Sequence, residues 1–296
     1  MNIVFMGTPE IAVTCLKAIY EAGHNISAVF TQPDKPKNRG HKLQMPPVKE
    51  YASEKGIEVY QPLSLKKGDD AEKSLEILKT LAPDCIVVVA YGQLLPKSVL
   101  DIPKSGCVNV HASLLPKDRG AAPIQRVIMD GEKVTGITTM YMAEGLDTGD
   151  MILKEAVEIT REMTGEQLHD RLAEIGSRLI VETLSQIEKG TAPRIPQTDE
   201  NTCYAERIQK EDCRIDFTKN ADTLYNQIRG LSSSPCAFTF LDGKRLKVYF
   251  AQKLDITVPA GAFAAMSSFC AKYTLSRFPS RNVKAQGDEE RPLIWL

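Results

Sequence analysis

The run Asp84-Cys-Ile-Val-Val-Val-Ala90 is the feature that most limits what this chain can become. A strand with one face in water alternates apolar and polar residues, and this run has no polar alternation. It is therefore a strand buried on both faces, the situation of a strand inside a parallel sheet covered by helices. The surrounding pattern agrees. Asn2–Met6, Asn25–Thr31, Cys107–His111, Val134–Tyr141 and Met151–Thr160 read as further strands. Ile11, Cys15, Leu16 and Ile19 have helical spacing, residues 71–81 and 121–130 read as helices, and Thr164 with Glu166 and Gln167 opens a long helix to about Ile187. At the first strand–helix junction Gly7 ends the strand, Thr8 is a good N-cap, Pro9 suits the first helical turn and Glu10 suits the positive helix end. Strands alternating with helices predict an α/β layered domain with a largely parallel sheet.

At 296 residues the chain is long enough for two domains. Gly190, Pro193 and Pro196 interrupt regular structure, so residues 1–189 read as the first domain, 190–207 as a linker and 208–296 as a smaller second domain. That domain reads as β-rich: a helical stretch at about 221–229, a Ser232–Pro235 break, then alternating segments at Ala237–Leu241 and Leu246–Phe250. Residues 32–47, rich in Pro, Gly and Lys, read as a long loop of the kind that often carries function.

No apolar run reaches the roughly 18–20 residues of a spanning helix, and Glu10 interrupts what a signal peptide would keep apolar. The seven cysteines are scattered without Cys-x-x-Cys spacing, which argues against a disulfide framework or a zinc site and for a reducing cytoplasm. The net charge of −1 hides an asymmetry. Residues 31–45 carry Lys35, Lys37, Arg39 and Lys42 against Asp34 alone, and residues 242–296 carry nine basic residues against five acids. Two basic patches on an otherwise acidic chain read either as solvated surface or as a footprint for one polyanion.

Chemistry-bearing residues concentrate between 106 and 150. Asn109 and His111, two apart on a strand, project from one face at its carboxyl end, where open α/β sheets bind ligands. The turn Glu144-Gly-Leu-Asp147-Thr-Gly-Asp150 can bring a carboxylate to the imidazole. An amide that donates to a developing oxyanion, an imidazole that donates or relays a proton, and a carboxylate that orients it form a coherent device. A lone histidine at a strand end is more often structural than catalytic, Asp147 also reads as a simple turn cap, and the pattern alone names no reaction. Gly-x-Gly-x-x-Gly is absent, which disfavours a dinucleotide site. His24, His41 and His169 read as surface or loop residues.

The segments Gly7-Thr-Pro-Glu10, Phe30-Thr-Gln-Pro-Asp34, Val87–Pro96, Asn109-Val-His-Ala-Ser-Leu-Leu-Pro116, Arg119–Gln125 and Gly145-Leu-Asp-Thr-Gly-Asp150 resemble the methionyl-tRNA formyltransferase family, within the 10-formyltetrahydrofolate-dependent formyltransferases. The resemblance runs over roughly residues 1–250. It implies a Rossmann-like formyltransferase domain followed by an open β-barrel of the oligonucleotide-binding (OB) type. It implies transfer of a formyl group from 10-formyltetrahydrofolate to the α-amino group of methionyl initiator tRNA, without a metal. By the family pattern Asn109, His111 and Asp147 are catalytic. Ser113, Leu114, Leu115 and Pro116 match the folate signature, and Tyr91, Gly92, Gln93, Leu94 and Leu95 line the pteridine pocket. The long early loop, with Lys35, Lys37, Arg39 and Lys42, meets the tRNA acceptor stem. Two departures stand out: Asp118 replaces the family's usual aromatic residue, and the resemblance stops after about Pro259. A formyltransferase acting on a small amine, a 10-formyltetrahydrofolate hydrolase and a non-catalytic RNA-binding module are the competing expectations. Nothing in the sequence requires more than a monomer.

Overall fold

The computed structural model describes residues 1–37 and 42–252. In chain order the elements are β1 (Asn2–Gly7), α1 (Glu10–Glu21), β2 (Asn25–Phe30), β3 (Lys35–Lys37), β4 (Lys42–Gln44), α2 (Pro47–Glu54), β5 (Val59–Tyr60), α3 (Asp69–Leu81), β6 (Cys85–Val89) and α4 (Lys97–Leu100). They continue with β7 (Cys107–His111), β8 (Arg119–Gly120), α5 (Pro123–Met129), β9 (Val134–Tyr141), β10 (Met151–Glu158), α6 (Gly165–Glu188), β11 (Tyr204–Ala205), α7 (Ala221–Leu231), β12 (Ala237–Leu241) and β13 (Lys244–Val248).

Seven strands form one sheet in the order β10-β9-β7-β6-β1-β2-β5. The five from β7 to β5 are parallel, while β9 pairs antiparallel with both β7 and β10. Every residue of β6 is buried, as the valine run requires. Strand order reverses about β1, so the carboxyl ends of β1, β6 and β7 lie side by side, with Gly7 in register with Val89 and Val88 with Asn109. That is the ligand crevice of an open α/β sheet. One face of the sheet packs Val4, Met6, Ile86 and Val88 with Leu78 of α3 and Val99 of α4. On α6, Thr183 shares a 2.8 Å hydroxyl hydrogen bond with Thr139 of β9.

Contacts divide the chain into two compact units. The first gathers Met1–Pro123, Val134–Glu158 and His169–Ala205; the second gathers Ile124–Lys133, Ile159–Leu168 and the described residues from Glu206 on. Residues 190–205, interrupted by prolines as the sequence predicts, are held in the first unit by a two-way backbone bridge between Ile195 and Met151.

The second unit buries Cys213, Ile215, Leu224, Ile228, Leu231, Phe238 and Val248. Asn220 caps α7 by accepting from the Thr223 amide at 2.8 Å. Asp242 and Gly243, both at positive φ, close the β12–β13 hairpin, as a two-residue turn between twisted strands requires. Thr164 and Gln167 bond reciprocally at the start of α6, forming a capping box. The remaining strands of the expected barrel, and the basic tail beyond Gln252, lie outside the described residues.

Three local expectations are corrected. Thr8 does not cap α1: Pro9 occupies the cap position, and the Thr8 hydroxyl donates instead to the Tyr91 carbonyl at 3.0 Å. The long loop is not wholly irregular, because β3 and β4 pair within it. His24 is not a lone surface residue; it lies against the N-terminal amine and 3.9 Å from Glu188.

Candidate active site

β7 delivers Asn109 and His111 side by side at its carboxyl end, both buried although both are polar. A buried polar side chain needs partners. His111 Nε2 lies 2.9 Å from the main-chain oxygen of Asp118. A carbonyl only accepts, so Nε2 carries the hydrogen and Nδ1 is the ring nitrogen left for chemistry. Nδ1 lies 3.7 Å from Asp147 Oδ2, close enough for charge attraction but too far for a hydrogen bond. Asn109 Nδ2 approaches Asp147 Oδ1 at 3.5 Å. The three side chains that the sequence singles out therefore meet around one point.

Asp147 reaches that point through an unusual backbone, with φ at +53° in the tight turn after β9. Its carboxylate accepts the Gly120 amide at 2.8 Å. Two residues on, a Cβ on Gly149 would lie 1.7 Å from the Tyr141 carbonyl oxygen, so only glycine lets the turn sit on the end of β9. Asp118 also has positive φ, +54°, a conformation that aspartate tolerates better than most residues. Its amide donates to Cys203 Sγ at 3.2 Å, and the thiol donates back to its carboxylate at 3.4 Å. Asp118 thus turns its carbonyl onto His111 while its charge meets Cys203.

The Ser113–Pro116 segment is held from beneath. The Ser113 hydroxyl donates to the Lys117 carbonyl at 2.6 Å, and Thr138 Oγ1 bridges the Ser113 carbonyl and the Leu115 amide. Lys154 Nζ donates to the Leu115 carbonyl. Leu115 is buried against Met140 and Met151. At the end of β6 the Tyr91 ring sits in the apolar core, and burial pushes its phenol pKa up. Its carbonyl accepts from Thr8 and from Gln32 Nε2. Gln93 braces Leu65 and Pro62, whereas Gly92 and Leu94 are exposed.

Beside the crevice, Lys49 Nζ binds both carboxylate oxygens of Asp34, and Gln61 donates to Asp34 Oδ1. These hydrogen bonds hold the Asp34 carboxyl below its ordinary pKa. From this anchor the β3–β4 hairpin departs, with Lys35 exposed and Lys37 opposite Lys42. Lys35 lines a shallow pocket with Thr8, Gln32, Gln44 and Met45. Arg39 lies outside the described residues.

Residues 1–184 match the family model described as formyl transferase, and residues 207–267 match that of its C-terminal domain. The chain belongs to the formyl transferase family. Methionyl-tRNA formyltransferase of Clostridioides difficile (strain 630) is 52% identical over 255 residues, covering 86% of this chain and 81% of that one. The enzyme of the same name from Pelotomaculum thermopropionicum is 53% identical over 255 residues, covering 86% and 80%. Among solved structures, an N-formyltransferase from Helicobacter canadensis in complex with folinic acid and dTDP-3-aminofucose aligns with a TM-score of 0.63 at 21% identity, over 82% of this chain and 85% of that one. At that identity the likeness is one of fold. Among the described residues of this formyl transferase family member, no group of three or more His, Cys, Asp or Glu is placed to hold a metal ion. No described helix is long and apolar enough to cross a membrane.

Sequence reasoning did not find Cys203 or Gln197 at this site. It singled out Asp118 as a departure from the family pattern and Arg119 as the start of a family segment, without a role for either.

Proposed function

We propose that this chain transfers the formyl group of 10-formyltetrahydrofolate to the α-amino group of methionyl initiator tRNA, in the cytoplasm where translation begins. The observation that carries the reading is the meeting of Asn109, His111 and Asp147 at the carboxyl end of β7. The relatives at about half identity, all named for this activity, select the acceptor.

The chemistry asks for little base strength. A free α-amino group titrates near 7.7–8.0, and an adjacent ester lowers that, so the nucleophile is substantially neutral at pH 7. The new C–N bond forms at the formyl carbon, the bond from that carbon to N10 breaks, and one proton passes from the amino nitrogen to N10. The protein must align the reactants and stabilise the charge that develops on the formyl oxygen. Asn109 Nδ2 is one donor in this reading, and His111 donates through Nδ1 once its ring is protonated, Nε2–H staying on the Asp118 oxygen. Asp147 stabilises the imidazolium and assists the proton transfer. Ser113–Pro116 and Tyr91–Leu95 hold the folate. Lys35, Lys37, Arg39 and Lys42 contact tRNA phosphates.

The test is formyl transfer from 10-formyltetrahydrofolate to charged initiator methionyl-tRNA, with free methionine and uncharged tRNA as controls. Transfer to the charged initiator alone is expected. Transfer to small amines, or release of tetrahydrofolate without any acceptor, would overturn the reading.

A further inference from the structure

We infer that Gln197 is a positioning residue of this reaction, acting through Asp147. The inference rests on the formyl-transfer reading above. Gln197 lies 50 residues beyond Asp147 in a segment that the sequence reads only as a domain linker.

The side-chain amide of Gln197 has all its capacity in use. Its Nε2 donates to the main-chain oxygens of Asp147 and Gly149, each at 2.8 Å. Its Oε1 accepts from Nε and Nη2 of Arg119, at 3.0 and 2.8 Å. The orientation of the amide is fixed by chemistry. Carbonyls only accept and a guanidinium only donates, so the flipped amide would face both pairs with the wrong atom. Arg119 is 4% exposed, and its nearest acid, Asp199, stands 4.0 Å away with a fully exposed side chain. A buried guanidinium whose close hydrogen bonds go to a neutral amide is a poor stability device. As a strut it is a good one. Arg119 begins β8, and the next residue, Gly120, gives its amide to the Asp147 carboxylate. The same pair of residues therefore holds Asp147 at both ends, by its carbonyl through Gln197 and by its carboxylate through Gly120. The antiparallel Met151–Ile195 bridge fixes the segment that carries Gln197 two residues earlier.

Displacements near an ångström at a catalytic group cost on the order of 10²-fold in rate. The experiment uses the full chain, two variants and two backgrounds. Gln197→Glu keeps the partner of Arg119 but turns an acceptor onto two carbonyls, and Gln197→Ala removes both links. Each is measured in the parent and in an Asp147→Asn background, with kcat, KM for both substrates and Tm. The expected result is a loss of kcat of about 10- to 100-fold for both variants, with folate KM unchanged. Gln197→Glu should keep the parent Tm. In the Asp147→Asn background both variants should cost less than threefold, because a residue acting through Asp147 has nothing left to position. Losses that multiply fully with Asp147→Asn, or a parent-like kcat in Gln197→Glu, would overturn the inference. Formyl transfer by the parent chain is recorded in the same assay, so failure of the proposed reaction is seen separately.

Discussion

The imidazole of His111 is held by the main-chain oxygen of Asp118, 2.9 Å from Nε2, and not by the carboxylate of Asp147. The tautomer of the histidine is thus written by backbone conformation. Asp118→Gly should keep turnover near that of the parent, because glycine takes positive φ freely. Asp118→Val, β-branched and strained by about 1–3 kcal/mol in that conformation, should turn the carbonyl away and lose activity. Imidazole ¹⁵N spectra should show Nε2–H in the parent and Asp118→Gly, and a changed tautomer in Asp118→Val.

Removing a donor from the formyl oxygen should be costly. Asn109→Ala and His111→Ala are each expected to lower kcat by on the order of 10²–10³, with folate affinity little changed. Single-turnover transfer measures the step, and near-normal turnover in either variant would remove that residue from its role.

The turn carrying Asp147 depends on Gly149. A methyl group there would lie 1.7 Å from the Tyr141 oxygen, so Gly149→Ala must shift the turn or the end of β9. Overpacking of this kind costs about 1–3 kcal/mol. Urea unfolding should report that loss, together with a fall in kcat that a neutral surface substitution does not cause.

Asp34 supplies a pH signature. Its folded pKa is depressed by hydrogen bonds from Lys49 and Gln61, so its ionised form favours the folded state. That stability is fully present above the unfolded value, about 3.9, and is lost as pH falls through the lower folded value. Asp34→Asn should therefore lower Tm at pH 7, and the difference from the parent should shrink below about pH 4.

The basic residues of the early loop should act through charge. Lys35→Ala and Arg39→Ala are expected to raise KM for tRNA most at low salt while sparing KM for folate. Each lost phosphate contact should reduce the slope of log affinity against log salt by about 1.

Much of the framework was open to reading because it rests on patterns of side-chain type. The valine run of β6 declared a doubly covered strand. The two-residue spacing of Asn109 and His111 placed both on one face, and the glycine-flanked Asp147 declared a turn. What escaped rests on the main chain or on long range. The Asp118 oxygen is a group every residue has, and its aim depends on a φ of +54° that no periodicity reveals. Thr8 looked like a helix cap because its neighbours suit one, but the Tyr91 carbonyl, 83 residues away, offers a better partner. Gln197 sits among prolines in a polar stretch, and nothing local announces that Arg119, 78 residues earlier, waits for it.

That distance also sets an order of assembly. A chain emerging from the ribosome makes the strand bearing Asn109 and His111 and the turn bearing Asp147 well before residue 197. Domains fold as synthesis proceeds at about 5–20 residues per second, so for seconds the Asn109, His111 and Asp147 side chains exist without the Gln197 amide that bonds the Asp147 turn. A nascent chain stalled after α6 would carry the three reactive groups and the folate-facing loops yet lack the clasp, and its activity would rise only as the following dozen residues came free. With Gln197 as the positioning residue inferred above, full catalytic competence comes late in the translation of the chain.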